Sequence, residues 1–320
     1  QSALYRVNYS GSDSTAAIKS KVSSESKLRE TRRSMAAFHG KAVPGSIDKI
    51  WPNLGHQDRF IRYSARVALE HQPVVEWQEK ALEEEDPQTL LSALLALARQ
   101  GDVALQGDIL NALSMLQVSE MSEAQKLDAL RVMGLTFIRM GGPDEETARE
   151  IAEAISPIYP AATDAMNREL VAMLVYLKAE DVLAKTIPLM SQEAAGLEEI
   201  EFDDGLLSRS GQYGKSFQNQ KASNPQRQQI WYAYALKNVE NGWSEGLRNQ
   251  FFSWFAKSRN FKGGASFGGF IDNFRKESLS KIKDANTRAE MDSLSKKQIT
   301  LVPEGFENAR ILKVGAKPGM

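Results

Sequence analysis

GHQDRFIRYSARVALEH, residues 55–71, is the stretch from which the fold is read. Ile61, Ala65, Ala68 and Leu69 stand at offsets i, i+4, i+7 and i+8, the spacing of one buried stripe on a helix. Asp58 is placed to cap the first turn. It also precedes Arg62 by four residues, where a helical ion pair contributes only about 0.3 to 0.5 kcal/mol. The pattern then returns. "DPQTLLSALLALARQGD", residues 86–102, opens on an acid, runs through Leu90, Leu94, Leu97 and Ala98, and stops at Gly101, as a helix C-terminus should. "KLDALRVMGLTFIRMGG", residues 126–142, carries Leu127, Leu130, Leu135 and Ile138 before two glycines. "NRELVAMLVYLKAED", residues 167–181, gives Leu170, Met173, Leu174 and Leu177.

These blocks begin at intervals of roughly 28 to 45 positions, the range of two-helix repeats. The expected fold is therefore all-α, an irregular HEAT-like α-solenoid with Leu69, Leu94 and Leu174 in its core. The acid, arginine, small and leucine order of "DRFIRYSARVAL" matches the second helix of a HEAT motif. In such motifs arginine commonly braces neighbouring repeats, so Asp58, Arg62 and Arg66 are read as structural. The functional alternative is a cationic pocket for a carboxylate or phosphate, which guanidinium forks suit.

Composition narrows the function. The 320 residues, 42% of them apolar, can bury the core of two average domains or one long array. Forty basic against 41 acidic residues leave a formal charge of -1, which gives no electrostatic reason to expect nucleic acid or an anionic membrane as partner. With no cysteine, these residues hold no disulfide, thiolate metal site, cysteine nucleophile or covalently attached haem. The longest apolar runs, such as "LLSALLALA" at 90–98, reach about half of the ~20 residues a membrane-spanning helix needs. No span is expected.

Residues 1–10 differ from the rest. In "LYRVNYSG" Tyr5, Val7 and Tyr9 alternate, which predicts a strand with no visible partner, the last strand of an upstream β domain. A linker at 11–34 follows, then helical repeats over 35–202. A loop at 203–228, rich in Gly, Ser, Asn and Gln, interrupts them. Aromatic-rich helices occupy 229–300, and 301–320 are read as a linker and the start of a downstream domain. In the aromatic region, Leu247, Phe251, Trp254 and Phe255 form one expected face and Phe267, Phe270, Ile271 and Phe274 another. "KGGASFGG", residues 262–269, serves as the turn between them, with Gly263 and Gly264 allowing close approach. It lacks the GxxxxGK[ST] order of a phosphate cradle.

Little in the chain points to chemistry. The three histidines, His39, His56 and His71, match no metal-ligand spacing, and no GxSxG elbow occurs. The acidic runs "EKALEEED" and "GLEEIEFDD" read as solvated surface.

Seven strings carry a resemblance: "LYRVNYSG", "WPNLGHQDRFIRYSARVALEHQPVVEWQEKAL", "KLDALRVMGLTFIRMG", "YPAATDAMNRELVAMLVYL", "SRSGQYG", "QQIWYAYALKNVENGWSEGLRNQFFSWF" and "GGASFGGFIDNFRKESL". Together they resemble the helical region of large secreted multidomain proteins of Planctomycetes, Verrucomicrobia and Bacteroidetes, described as haem-binding or membrane-bound dehydrogenase-like. The resemblance implies an upstream propeller similar to sorbosone dehydrogenases and a downstream electron carrier, either a c-type cytochrome or a cupredoxin. "ARILKVGAKPGM", residues 309–320, looks like the first strand of a cupredoxin. Haem c or copper would belong to that carrier, and none to residues 1–320. The implied role is a non-catalytic scaffold and docking region between propeller and carrier, in a periplasmic or otherwise extracytoplasmic protein. Two rivals stand beside it. The segment could be the ligand-binding or catalytic part of a sugar or alcohol dehydrogenase, taking a sugar-like or anionic ligand on Arg62, Arg66, Arg209, Tyr213 and Trp243. Alternatively it is a free-standing protein-interaction solenoid.

Overall fold

Asp58 starts the helix that residues 55–71 predict. In the computed structural model its carboxylate accepts from the backbone amides of Phe60 at 2.8 Å and Ile61 at 3.2 Å, and the helix runs Arg59–Glu70. The structure describes residues 4–6, 8–16, 26–192, 226–261 and 266–297. Their regular secondary structure is helical, with no strand among them, and they belong to two compact units, Gln1–Met121 and Ser122–Met320. The divide falls inside the stretch that the sequence presents as one run of repeats.

The first unit contains α1 (Ser26–Ala36), α2 (Ile47–Ile50), α3 (Arg59–Glu70), α4 (Gln78–Leu82), α5 (Pro87–Gln100) and α6 (Gln106–Ser114). The helix α1 begins within the expected linker. α3 packs between α1 and α5 and buries Ile61, Ala65, Ala68 and Leu69 completely or nearly so. The two alanines let flanking helices come close, while each large aliphatic chain contributes about 1.5 to 3 kcal/mol by leaving water. α5 is capped by Asp86, which accepts from the Thr89 amide at 2.8 Å, and it buries Leu90, Leu94, Leu97 and Ala98. It ends at Gly101, which turns to extended backbone, and glycine suits the position because a Cβ there would meet the Leu97 carbonyl at 2.7 Å. Buried Gln72 ties the preceding loop to α3, accepting from the Val43 amide at 2.8 Å and donating to the carbonyls of Lys41 and Ala68.

The expected N-terminal strand is absent from the described residues. Leu4, Tyr5 and Tyr9 are exposed and belong to no ladder. Alternation alone cannot hold an extended segment whose backbone groups find no partner edge.

The second unit contains α7 (Glu123–Met140), α8 (Glu145–Ile155), α9 (Asp164–Tyr176), α10 (Val182–Leu189), α11 (Arg227–Leu236), α12 (Glu245–Ser258), α13 (Phe267–Ser280) and α14 (Ala285–Ser295). Its helices pack against neighbours two along in this order: α7 with α9, α9 with α11 and α11 with α13, and likewise α10 with α12 and α12 with α14. A capping box of Ser122 and Gln125 opens α7, and Gly141, at φ +103°, lets the chain turn away at its end. α11 starts at Arg227, inside the predicted 203–228 loop. The rest of that loop lies outside the described residues, as do Gly263, Gly264 and residues 301–320.

Two expected core faces need correction. Ile138 is 81% exposed, while Leu130, Val132, Thr136 and Phe137 are the residues α7 buries. α7 is apolar on more than one side, so periodicity could not choose the inward face. Phe270 is 60% exposed, and α13 buries Ile271, Arg275, Ser278 and Leu279 in its place. The reason is Arg275. Its guanidinium, 7% exposed, bonds Asp272 at 2.8 Å and pairs with Asp292 of α14, turning that face inward and Phe270 outward. The α12 expectation holds for Phe251, Trp254 and Phe255, all buried and meeting edge to face.

The Arg275 cluster makes this end of the unit acid-sensitive. Hydrogen bonds from Lys276 and Arg275 hold the Asp272 carboxyl below its usual value of 3.8, and those from Lys296 and Arg275 do the same for Asp292. Both groups bind protons more weakly folded than unfolded. Their stabilisation is therefore present above the unfolded value and lost as pH falls through the folded one. A stability curve measured from pH 6 downward should decline below about pH 4, and Arg275→Met should flatten that decline. An acid limb identical in the variant would count against the cluster as its source.

Candidate functional site

The opening arginines are occupied. Arg62 donates to the backbone carbonyls of His56 at 2.7 Å and Gln57 at 3.0 Å, closing the loop before its own helix. The Asp58 carboxylate is taken by the cap. Arg66 pairs with Glu70, whose side chain is 6% exposed, and Arg99 of α5 reaches the same carboxylate at 2.8 Å. The link from helix to helix is thus made through Arg99, a residue the sequence reading did not single out. Its position one residue before the end of α5 was the available signal. Trp243 belongs to the second unit and Arg62 and Arg66 to the first, whereas Arg209 and Tyr213 lie outside the described residues.

Chemistry-bearing side chains come together at Ser156, Asp181 and Lys185. The Ser156 hydroxyl donates to Asp181 at 2.6 Å, and Lys185 Nζ reaches the Ser156 carbonyl and hydroxyl at 2.7 Å and Asp181 at 2.8 Å. All three border a cavity of about 1020 Å³. A nucleophilic serine needs a base free to take its proton. Lys185 is engaged by the Ser156 carbonyl and hydroxyl and by Asp181 together, so it is not free to serve as that base. Burial pushes the Asp181 carboxyl up, yet the bonds from Lys185 and Ser156 outweigh it and leave the group below its usual value. Such a carboxylate is a weaker base than an ordinary one. The cluster is a clasp between the end of α8 and α10.

Among the described residues no group of three or more His, Cys, Asp or Glu is placed to hold a metal ion. His39 Nε2 lies 2.8 Å from the Ser64 carbonyl, and His56 Nδ1 accepts from the Asp58 amide at 2.9 Å. No described helix is long and apolar enough to cross a membrane.

The second unit also exposes apolar surface. On α7 and α9, Leu127, Leu135, Ile138, Met173 and Tyr176 border a groove of about 550 Å³. Arg168 borders the same groove, and its carbonyl accepts from Trp231 Nε1 of α11 at 3.2 Å. From Trp231 the rings continue to Tyr234 at 5.9 Å and to Phe274 of α13 at 5.2 Å, with Lys237 lying 4.5 Å above Tyr234. Tyr176 is 51% exposed, Trp231 37% and Tyr234 43%, and exposed Phe270 lies one turn before Phe274. A connected apolar face therefore crosses α7, α9, α11 and α13. Its signal in the sequence was the unbroken run "IWYAYAL", residues 230–236, which holds more apolar surface than one buried stripe requires.

The rings on this face have no common plane. Trp231 and Tyr234 are inclined by 44°, and Tyr234 and Phe274 by 63°. Successive bases or sugars would find no flat platform, whereas side chains of a protein partner can seat between tilted rings. Compared with known proteins, the chain matches no family model, no curated protein and no solved structure.

Proposed function

We propose that this chain is a non-catalytic helical scaffold of HEAT-like solenoid type, whose second unit docks a protein partner through the face formed by α7, α9, α11 and α13. The observation that carries the reading is the connected exposed face from Ile138 and Tyr176 to Trp231, Tyr234 and Phe270. Contiguous apolar surface of this kind, rich in aromatic residues, is characteristic of interaction sites. Packing between helices two along in the chain order supports the solenoid reading, since repeats stack like with like.

The partner follows from the seven sequence strings: an electron-carrier domain of the same extracytoplasmic redox protein, with a dehydrogenase-like propeller on the other side. Sequencing the gene on both sides of these residues tests this context. Propeller blades before and a CxxCH motif or a His/Cys/Met copper set after would support it. A gene lacking both would leave the free-standing interaction solenoid. Residues 1–320 purified alone should be colourless, with no Soret band and no stoichiometric transition metal by elemental analysis. A tightly held metal would overturn the non-catalytic assignment.

A further inference from the structure

Between the loop that follows α11 and the α13–α14 connection lies a cavity of about 260 Å³. Leu236, Phe251 and Phe252 contribute its apolar lining, and Trp243 is beside them. The indole is fixed, donating from Nε1 to the Val239 carbonyl at 2.9 Å with its ring 5.1 Å from Phe251. The remaining lining is charged. Lys237 is engaged by Glu277, Lys281 by Glu240 at 2.8 Å, and Asp284 by the amide and hydroxyl of Thr287 at 2.7 Å. Arg248 and Lys283 border the same cavity, and their side chains make neither hydrogen bond nor ion pair among the described residues, although Lys283 is near enough to Glu240 to help lower its carboxyl pKa.

We propose that this cavity binds a small aromatic anion, its acid group on Arg248 and Lys283 and its ring against Trp243 and Phe252. A guanidinium fork and an ammonium suit a carboxylate or a phosphate ester equally. Arg248 has no bonded acid among the described residues, and the acid whose charge Lys283 feels, Glu240, is already bonded by Lys281. An apolar lining with a few convergent polar groups is the usual makeup of a ligand pocket, and the volume lies just below the ~300 Å³ where drug-sized sites begin. One ring with one acid group matches that space. A bare inorganic anion would leave the aromatic lining unused.

Titration of the 320-residue chain, read by calorimetry and by tryptophan fluorescence, tests this with benzoate, phenyl phosphate, inorganic phosphate and benzyl alcohol. Benzoate or phenyl phosphate should saturate a single site, and the two arms tell a carboxylate from a phosphate ester. Arg248→Gln should weaken that binding about tenfold or more, with Lys283→Gln as a second variant should the first not fold. Trp243→Phe should remove the fluorescence response. The proposal is overturned if benzyl alcohol binds as tightly as benzoate, or if inorganic phosphate binds as tightly as phenyl phosphate. It is equally overturned if both charge variants bind like the parent, or if nothing saturates by about 10 mM.

Discussion

Trp254→Ala should destabilise the second unit by about 4 to 5 kcal/mol and lower its melting temperature by about 10 to 15 °C. The side chain is buried on α12 among Phe255, at 5.2 Å, and Phe261, at 6.0 Å, so truncation leaves a large void in an aromatic cluster. It also breaks a buried hydrogen bond, because Trp254 Nε1 donates to the side-chain carbonyl of Gln229 at 2.8 Å. Trp254→Phe separates the two losses. It keeps most of the packing and orphans the Gln229 acceptor, for an expected cost of about 1 to 3 kcal/mol. Phe270→Ala, one helix further on, should change stability by no more than about 0.5 kcal/mol, since its ring already faces water. A Trp254→Ala protein that melts like the parent would show that the aromatic cluster is not the core of this unit.

The second large effect is expected at Glu70. Glu70→Leu should cost about 3 kcal/mol, the low end of the range for breaking a buried ion pair. Arg66 would be stranded with its side chain 13% exposed, whereas Arg99, at 43%, can turn to solvent. The double variant Arg66→Met/Glu70→Leu should recover most of that loss, because a buried pair replaced by apolar chains of similar volume is often neutral. Thermal or urea melts of parent, single and double variants give the coupling directly. Additive losses would place the stabilisation elsewhere than in the pair.

The sequence was most legible where one residue has one local job. Asp58 and Asp86 cap the helices they precede, and the stripes at Ile61–Leu69 and Leu90–Ala98 face inward as their spacing requires. It misled where a helix is apolar on several sides. Ile138 and Phe270 each sit at good helical spacing from residues that are buried, and which face turns inward was decided by partners far along the chain, such as Asp292 for Arg275. The exposed face on α7, α9, α11 and α13 was out of reach for a related reason. Surplus apolar surface can be counted on one helix, but its continuity depends on which helices become neighbours. Trp243 could be chosen as a ligand contact from residue type alone. Arg248 and Lys283 could not, since they meet it only after α12 and the α13–α14 connection fold together.

Gln229 also bears on how such a chain can change over generations. Its side-chain amide donates to the carbonyl of Gln192 at 2.5 Å, while its oxygen accepts from Trp254, so the points where the chain leaves α10 and re-enters α11 are stitched to one buried residue. Replacing Gln229 would release both points at once, so this buried position is expected to accept fewer exchanges than its exposed neighbours on α11.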